Sequence, residues 1–530
     1  MQRDDDKRPT EMPARNLLPG HAGRGSAHSH HFVLLAIASI FLARILVLPS
    51  RVFDPDEFEH AHAAWCVFKG MLPYKDFFEH HTPFYYYALS PFFHWFHVDL
   101  SFESARHFLI FGRCLSVVLA ILSVLLIIAI GRLLEDCQGS FLKIPVWAGL
   151  FLVVQPFFFH KMVEIRPDAL GLPFFLGALW FLLRGLAGSM DTAKNSRWHF
   201  LGGGLCLGAA IMSTQKMLFV LPGLLAGLAI WVVFAGRGGG RPDSNPLSNF
   251  NTGFRSRVLL ILAFLLGLCA VVSLTWAAFA LHDGGSDFWA NNFLLNAKWK
   301  HVSHEQFRRL LAASWPALIL GLLGASVALY RFFRFFRAEP RRFESPLLLC
   351  TLFGLTVGIL IVPGAHRQYY LMLLPIVCLF AAQGFSVLME RTRKWARPWL
   401  LVLVLVPLTV VTVRDLADAF KSRNDGQLAK LRYVFENTKP TDIVMDGIEG
   451  TGVFRPHALY HFFLHAEILD ALPRKLVDAY VDDLERGKIR PRLIALDENL
   501  VALGTRFLRF VKRNYTSSDG FFYFSKGGLD

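Results

Sequence analysis

Charged residues and cysteines are both scarce in this chain of 530 residues. Asp, Glu, Lys and Arg together make up 18% of the sequence, and the seven cysteines are an odd number without any Cys-x-x-Cys pair. Sparse cysteines at such spacings exclude a disulfide framework and a zinc-finger site. The low charge excludes an ordinary soluble domain, in which about a quarter of the residues are charged.

Hydrophobic residues are abundant instead. They make up 54% of the chain, aromatic residues make up 14%, and the mean hydropathy is +0.40. This composition is typical of a polytopic membrane protein. A net charge of +14 would indicate a nucleic-acid partner in a soluble protein. Here many Lys and Arg residues lie in short loops between apolar runs, as the positive-inside rule describes. We therefore predict membrane lipids as the surroundings and no nucleic-acid partner.

Long apolar runs recur along the first 413 residues. A span needs about 20 apolar residues, and the sequence predicts about eleven spans. They lie near residues 32–49, 108–131, 141–159, 169–187, 199–213, 217–235, 257–281, 311–331, 346–363, 368–389 and 398–413. No small-residue cleavage site follows the first run, so an uncleaved signal anchor is expected. The run at 199–213 is the weakest, but its glycines permit close helix packing.

Basic residues predict the orientation of these spans. With a disordered cytoplasmic tail at residues 1–30, alternation places the most basic loops on the cytoplasmic side. These loops carry Arg237 to Arg257, Arg331 to Arg342 and Arg391 to Arg397. The outer face then receives the loop 51–107, the turn 160–169, the loop 282–310, the turn 363–370 and the C-terminal tail.

Acidic residues are concentrated in two of the outer segments. The motif DPDE occupies residues 54–57, directly after the first span, and the motif EIRPD occupies residues 164–168. Charge held this close to a membrane is costly and is usually retained for function. The alternative is structural, with Asp56 and Glu57 beginning an amphipathic helix and Asp168 complementing a helix dipole.

These side chains suit the transfer of a lipid-borne sugar to a hydroxyl group. The reaction needs a carboxylate that takes the proton of the hydroxyl and cations that neutralise the leaving phosphate. Asp56 and Asp168 are the candidate bases. The candidate phosphate ligands are Arg166, His81, Lys216 and Arg367. Lys216 and Arg367 have an alternative interpretation as cations that snorkel to the membrane interface.

The order of four motifs carries a family resemblance. An Asp-Glu pair after the first span, the segment HHTPFYYYALSP, the turn RPDA and the late run RQYYLMLLP are similar to motifs of the glycosyltransferase C (GT-C) superfamily. Over residues 30–415 the chain resembles bacterial relatives of the protein O-mannosyltransferases and the lipid A aminoarabinose transferases, of the family 39 and 83 type. Where those relatives often have a basic residue before Pro-Pro, this chain has His80-His81-Thr82-Pro83.

The resemblance implies a fold and a site. The fold would be an all-α polytopic bundle of about eleven helices, with amphipathic interface helices in the loop 51–107. Asp56 would be the base, Glu57 its neighbour in the catalytic pair and Asp168 a second acid. Tyr369 and Tyr370 would lie near the donor phosphate.

The implied reaction is an inverting transfer of a hexose or pentose from a polyprenyl-phosphate donor to a hydroxyl of a glycolipid, polysaccharide or protein. The protein would be a multi-pass protein of a bacterial inner membrane, with a cytoplasmic N-terminus and a periplasmic or extracellular active site. No cofactor is required and no metal ligands are assigned. The alternative is a divalent ion held by Asp54, Asp56, Glu57, His60 and His62.

The tail at residues 414–530 is polar and predicts a small α/β domain on the outer face, after a transmembrane domain at 31–413. Helical patterns alternate with strand-like runs, without a GxGxxG or P-loop motif. The helices are expected at 415–437, 457–469 and 476–487, and the strands at 441–447, 491–497 and 521–526. A helix over 455–468 would place His457, His461 and His465 on one face. They would touch an acceptor or a metal there, or border packed aromatic side chains.

Two other function classes remain open at this point. A transporter or lipid flippase usually carries ionisable residues in the middle of its spans and has two similar halves, whereas the acids here gather at span ends. A non-catalytic membrane scaffold would bind partners through its C-terminal domain and would not need Asp56 or Asp168.

Overall fold

Long apolar helices follow one another along the chain as far as Lys421. The structure is a computed structural model that describes residues 24–135, 144–187, 193–235, 246–296, 305–335, 343–362 and 365–526. Within these ranges, eight helices are long and apolar enough to cross a membrane, and shorter apolar helices cover His31–Val47 and Ile144–Val153. Residues 1–23 of the predicted N-terminal tail lie outside the described residues.

Each of the predicted runs corresponds to a helix. These helices are α1 (Arg24–Val47), α5 (Phe102–Leu134), α6 (Ile144–Val153), α8 (Pro167–Ala187), α9 (Ala193–Ser213), α10 (Val220–Phe234), α11 (Pro246–Ala280), α13 (Glu305–Phe335), α14 (Glu344–Ile361), α15 (Leu373–Arg391) and α16 (Arg397–Lys421). The run at 141–159 is divided because Pro156 begins a separate helix after Gln155, whose backbone is extended. Proline disfavours helical geometry in the residue before it.

Short helices lie between the long ones. They are α2 (Pro55–Phe68), α3 (Phe84–Leu89), α4 (Phe93–Phe96), α7 (Pro156–Lys161) and α12 (Gly285–Trp289). All residues of α2 from Glu57 to Cys66 are buried. The first loop is therefore packed into the protein rather than solvated, which sets the positions of its acids and histidines.

The glycines of α9 permit the close packing that the sequence predicts. A Cβ atom at Gly204 would lie 1.9 Å from the carbonyl oxygen of Phe264 in α11, so only glycine is tolerated at this crossing. Small residues at such crossings let membrane helices approach closely.

The C-terminal region forms the predicted small α/β domain. Its elements are α17 (Asp425–Asn437), β1 (Val444–Met445), α18 (Ala466–Ala471), α19 (Arg474–Glu485), β2 (Leu493–Ala495), α20 (Glu498–Val501), α21 (Thr505–Asn514), β3 (Tyr515–Thr516) and β4 (Phe522–Ser525). The strand order is β1-β2-β4-β3. β1 and β2 are parallel, and β4 is antiparallel to both β2 and β3. The predicted fold class, a polytopic helical bundle with a small α/β domain, is confirmed.

Two details of the C-terminal prediction are wrong. The predicted helix at 415–437 is divided between α16 and α17. The predicted helix over 457–469 begins only at Ala466, because the backbone of the preceding segment pairs elsewhere. His457 bridges to Val444 in β1, and the amide of Leu464 donates to the carbonyl of Gly447 at 2.7 Å. The three histidines of this segment therefore do not share a helix face.

The C-terminal domain packs directly on α2. Val453 and Phe454 belong to the same buried apolar cluster as Phe58 of α2. Gly450 has a φ of +70°, and a Cβ atom there would lie 2.3 Å from the Phe58 ring. This contact requires glycine for both its backbone conformation and its lack of a side chain.

Candidate active site

The DPDE motif builds the start of α2. Asp54 is the N-cap, its carboxylate accepts a hydrogen bond from the amide of Asp56 at 3.2 Å, and Pro55 takes the first helical position. The carboxylate of Glu57 accepts from the amide of Asp54 at 3.0 Å, which completes a capping box. Such a box satisfies amide groups that a helix start leaves unpaired.

Glu57 has a structural position. Its carboxylate receives two hydrogen bonds from Arg113, at 2.7 and 2.8 Å, and both side chains are fully buried. Arg113 also donates to the carbonyls of Leu48, Arg51 and Val52. Through Arg113, Glu57 thus fastens the start of α2 to α5 and to the segment that follows α1, and this geometry does not support its predicted catalytic role.

Asp56 points toward the second acidic turn. Its carboxylate lies 2.5 Å from Arg166, which also pairs with Glu164 at 2.5 Å and lies 3.6 Å from Asp168. Burial alone would raise the pKa of Asp56, but the positive charges of Arg166 and Lys161 outweigh it and lower that pKa to about 2. Asp56 is therefore a carboxylate at every physiological pH.

Asp168 and Lys216 form a buried pair. The Lys216 ammonium lies 3.2 Å from both oxygens of Asp168, and both side chains are nearly inaccessible to solvent. The Lys216 ammonium also lies 5.0 Å from the centre of the Tyr369 ring. Lys216 is thus not a snorkelling surface cation. Its charge is turned inward, against Asp168.

His81 is oriented by Glu79. Its Nδ1 lies 2.9 Å from a Glu79 oxygen that also accepts the amide protons of His80 and His81. Burial, followed by the nearby charge of Lys216, lowers the pKa of His81 to about 3. With Nδ1–H donating to Glu79, the other nitrogen of the neutral ring can only accept. This state does not support the predicted phosphate contact of His81.

A cavity of about 370 Å³ is lined by some of these groups, but not by Glu57, Arg166 or Asp168. Asp54, Asp56, Lys161 and Lys216 line it, and the late motif contributes Arg367 and Tyr369. The C-terminal domain contributes His465 and Glu467. The segments that were predicted to share one face therefore meet at one end of the bundle.

Arg367 differs from the other cations of the cavity. Its Nε donates to Gln306 at 3.2 Å, and its guanidinium lies 5.9 Å from the Phe157 ring. Across the described part of the chain, no carboxylate lies within ion-pair distance of it. Its charge is available to an anionic ligand.

The two tyrosines of the late motif face different ways. Tyr369 lines the cavity. Tyr370 packs against Phe157 at 5.7 Å and Phe307 at 6.4 Å between ring centres, and it does not line the cavity. Of the two, Tyr369 is the one placed to touch a ligand.

Lys161 and Glu467 are among the contributors to this cavity that sequence reasoning missed. Lys161 lies 2.6 Å from Asp54 and 2.9 Å from Glu164, and it stands only three residues before the EIRPD motif. Glu467 lies 2.9 Å from His465 and 3.5 Å from His366. Hydrogen bonds from these histidines lower the pKa of Glu467. No sequence motif connects the C-terminal domain to the late turn, so only the fold reveals this contact.

The predicted metal alternative is not assembled. Asp54 and Asp56 pair with Lys161 and Arg166, Glu57 pairs with Arg113, and His60 lies against Tyr86. Among the described residues, two other groups bring metal-ligating atoms within 4.8 Å of one another. They are Glu59, Glu79, His80 and His81, beside the cavity, and His62, Cys66 and His457.

Comparisons with known proteins agree with this architecture. Residues 81–238 match the family described as dolichyl-phosphate-mannose-protein mannosyltransferase. The apo oligosaccharyltransferase of Archaeoglobus fulgidus superposes with a TM-score of 0.58 at 13% identity, over 94% of this chain and 75% of that one. ArnT of Cupriavidus metallidurans bound to undecaprenyl phosphate superposes with a TM-score of 0.56 at 12% identity, over 93% of this chain and 98% of that one.

The chain has the fold of the GT-C glycosyltransferases. The resemblance expected from the order of the motifs is therefore confirmed. No curated protein sequence gives a match to the chain. In this GT-C fold, the cavity between the first loop, the late motif and the C-terminal domain is the candidate active site.

Proposed function

We propose that the protein transfers a sugar from a polyprenyl-phosphate donor to a hydroxyl acceptor, with inversion at the anomeric carbon. One observation carries the proposal. A single cavity holds the Asp56 carboxylate together with Arg367, a cation that has no carboxylate partner among the described residues. The GT-C fold supports this assignment, since ArnT, which shares it, binds undecaprenyl phosphate.

Asp56 acts on the acceptor hydroxyl. A carboxylate with a pKa of about 2 is a weak base toward a free hydroxyl, since efficient bases have pKa values near the working pH. Asp56 therefore accepts a hydrogen bond from the hydroxyl and stabilises positive charge at the anomeric carbon. It receives the proton as the new carbon–oxygen bond forms and the bond from carbon to phosphate oxygen breaks.

Arg367 receives the leaving phosphate. A guanidinium binds phosphate oxygens through two parallel hydrogen bonds, and the charge of Arg367 is not already committed to an acid. Lys216 adds positive charge to the same cavity, but Asp168 partly neutralises that charge. Arg166, the predicted phosphate ligand of the second acidic turn, holds Asp56 in place instead.

Several finer assignments belong to the same proposal. The donor sugar is a hexose or a pentose, the acceptor is a glycolipid, polysaccharide or protein, and the transfer requires no cofactor. The multi-pass protein lies in a bacterial inner membrane, with a cytoplasmic N-terminus and the cavity on the outer face. The basic loops between spans support this orientation.

The test uses the purified full chain in lipid and a panel of labelled polyprenyl-phosphate sugars with crude envelope extract as acceptor. The wild type should consume one donor, and Asp56→Asn should lower that rate by about 10²- to 10⁴-fold, as expected for loss of an acid–base group. Asp425→Asn is the matched control. Asp425 is an exposed acid that pairs with Arg423, and neither residue lines the cavity.

Two outcomes would overturn the proposal. In the first, wild type consumes no donor from the panel, and movement of the intact donor across the bilayer would then identify a flippase. In the second, Asp56→Asn transfers sugar as fast as Asp425→Asn, so that the essential carboxylate is not Asp56.

A further inference from the structure

Three metal-ligating side chains meet between α2 and the C-terminal domain. His62 and Cys66 lie one turn apart on α2 and so share a face. His457 comes from the segment that pairs with β1. His62 Nε2 lies 2.9 Å from His457 Nδ1 and 3.4 Å from the Cys66 sulfur, which lies 3.8 Å from His457 Nδ1. We propose that these three residues bind one zinc ion, or another borderline-soft divalent ion, which fastens the C-terminal domain to α2.

The spacing of the three atoms suits a tetrahedral ion. Zinc lies about 2.0 to 2.1 Å from histidine nitrogen and about 2.3 Å from cysteine sulfur. Tetrahedral angles then place two nitrogens about 3.3 Å apart, and nitrogen and sulfur about 3.6 Å apart. The three separations at this site, 2.9, 3.4 and 3.8 Å, lie within a few tenths of an ångström of those values. Small rotations of the side chains would therefore accommodate the ion.

The backbone already orients His62 as a ligand. His62 Nδ1 lies 2.8 Å from the carbonyl oxygen of Val453. A carbonyl oxygen only accepts, so Nδ1 carries the proton and the lone pair of Nε2 points toward Cys66 and His457. Metal-binding histidines typically donate their other ring proton to a carbonyl or carboxylate in this way, which fixes the ring and its tautomer.

Space for a water molecule adjoins two of the three ligand residues, His62 and His457. A cavity of about 30 Å³ is lined by His62, His457, Glu59 and His461. That volume is sufficient for one water molecule. With that water, the one sulfur and two nitrogens would complete the four-coordinate arrangement of three protein ligands and one water that zinc adopts in proteins. Soft thiolate together with imidazole excludes magnesium and calcium, which prefer oxygen ligands.

The site would tie two parts of the protein together. α2 carries Asp54 and Asp56 at its start and His62 and Cys66 further along, whereas His457 belongs to the domain that supplies Glu467 to the larger cavity. An ion here would hold both contributors in a fixed relation. Without an ion, the same atoms would make only a hydrogen bond between two imidazoles and a weak thiol contact.

The first test uses cobalt as a spectroscopic probe. The full chain, purified in lipid without a histidine tag, is stripped with a chelator and titrated with Co²⁺. A thiolate-to-cobalt charge-transfer band should grow and saturate at one ion per chain. The band should be absent in Cys66→Ala and retained in Cys378→Ala, since Cys378 is also a buried free cysteine. The group Glu59, Glu79, His80 and His81 has no sulfur and cannot produce this band.

The second test measures zinc directly. Competition with a chromophoric chelator should show binding at least about tenfold weaker in His457→Ala, a half-buried position, than in wild type. Zinc should raise the unfolding temperature of wild type and Cys378→Ala but not that of Cys66→Ala, because an ion that binds only the folded chain stabilises it. Absence of the charge-transfer band in folded wild type, or its persistence in Cys66→Ala, would overturn the proposal.

Discussion

The charges around the cavity are paired in two different ways. In the paired cluster, formed by Asp54, Asp56, Lys161, Glu164 and Arg166, every acid contacts a cation at 2.9 Å or less. The late wall is formed by His366, Arg367, Tyr369, His465 and Glu467. Among the described residues, the ionic partners of its acid are histidines, and Arg367 contacts an amide and an aromatic ring.

This difference separates two tasks within one site. The paired cluster holds a carboxylate in a fixed place and keeps it ionised, so no reorganisation is needed when positive charge develops beside it. The late wall keeps a cation whose charge is not yet neutralised, as binding of an anionic donor requires. If every cation around the cavity had an acidic partner, no free positive charge would remain for the phosphate.

The largest loss of stability is expected when the Arg113–Glu57 pair, which holds the start of α2 beside the paired cluster, is removed. Arg113→Met removes the buried partner of Glu57 and the hydrogen bonds that fasten the start of α2. Leaving a buried carboxylate unpaired costs about 3 to 5 kcal/mol. The measurement is the free energy of unfolding in mixed micelles by denaturant titration.

Helix α5, which carries Arg113, also offers a matched control. Arg106 pairs with Glu103 on the exposed surface of α5, where both side chains are open to solvent. Arg106→Met should change the free energy of unfolding by less than about 1 kcal/mol. Equal losses in the two variants would mean that burial does not distinguish the pairs and that Glu57 is not part of the framework.

A smaller and more selective effect is expected in the late wall. Arg367→Gln should raise the KM for the donor by about 10- to 100-fold, because a hydrogen bond to a charged group contributes about 1.5 to 3 kcal/mol. Stability should change little, since Arg367 has no ion-pair partner among the described residues. Steady-state kinetics with the donor identified by the panel provide the measurement.

Two further variants sharpen this prediction. Arg308→Gln removes an exposed arginine of α13 that does not line the cavity, and it should leave the KM unchanged. Arg367→Lys keeps the charge but loses the planar pair of donors, so an intermediate KM is expected. A fall in kcat at constant KM in Arg367→Gln would contradict phosphate binding in the ground state.

Much of the fold follows from local features of the sequence. The length of the apolar runs predicts where helices form. The DPDE and EIRPD motifs indicate two segments that lie against each other, although no residue of EIRPD lines the cavity. Asp56 and Arg166 lie 2.5 Å apart although they are 110 positions apart in the chain. Their proximity agrees with the prediction that alternating spans place both turns on one face.

The roles of individual side chains in the site depend on tertiary contacts that no local sequence pattern encodes. Glu57 and Asp56 are neighbours in sequence, but Glu57 pairs with Arg113, which lies 56 positions away. This buried pair keeps Glu57 out of the cavity. Tyr369 and Tyr370 are equally plausible as ligands until the fold places one in the cavity and the other among aromatic rings. The helix predicted over 457–469 does not form before Ala466. The backbone of the preceding residues forms hydrogen bonds with β1 and its neighbouring loop instead.

The smallest expected effect concerns Glu59, which borders both the main cavity and the small one beside His62. Burial raises the pKa of Glu59 well above its ordinary value, and the negative charges of Glu79 and Asp56 add to that shift. The folded chain therefore binds this proton more tightly than the unfolded chain does. The stability gained is complete below the unfolded pKa of about 4.3 and is lost as the pH rises toward the folded pKa.

Glu59→Gln removes this ionisation while keeping the shape of the side chain. The unfolding temperature of the variant relative to wild type should therefore increase as the pH rises from about 5 to about 8. Glu103→Gln, at an exposed acid, should show a constant difference over the same range. A constant difference for Glu59→Gln as well would mean that Glu59 ionises freely in the folded protein. The cavity would then hold a fourth negative charge beside Asp54, Asp56 and Glu467, and the free positive charge of Arg367 would be offset before any donor arrived.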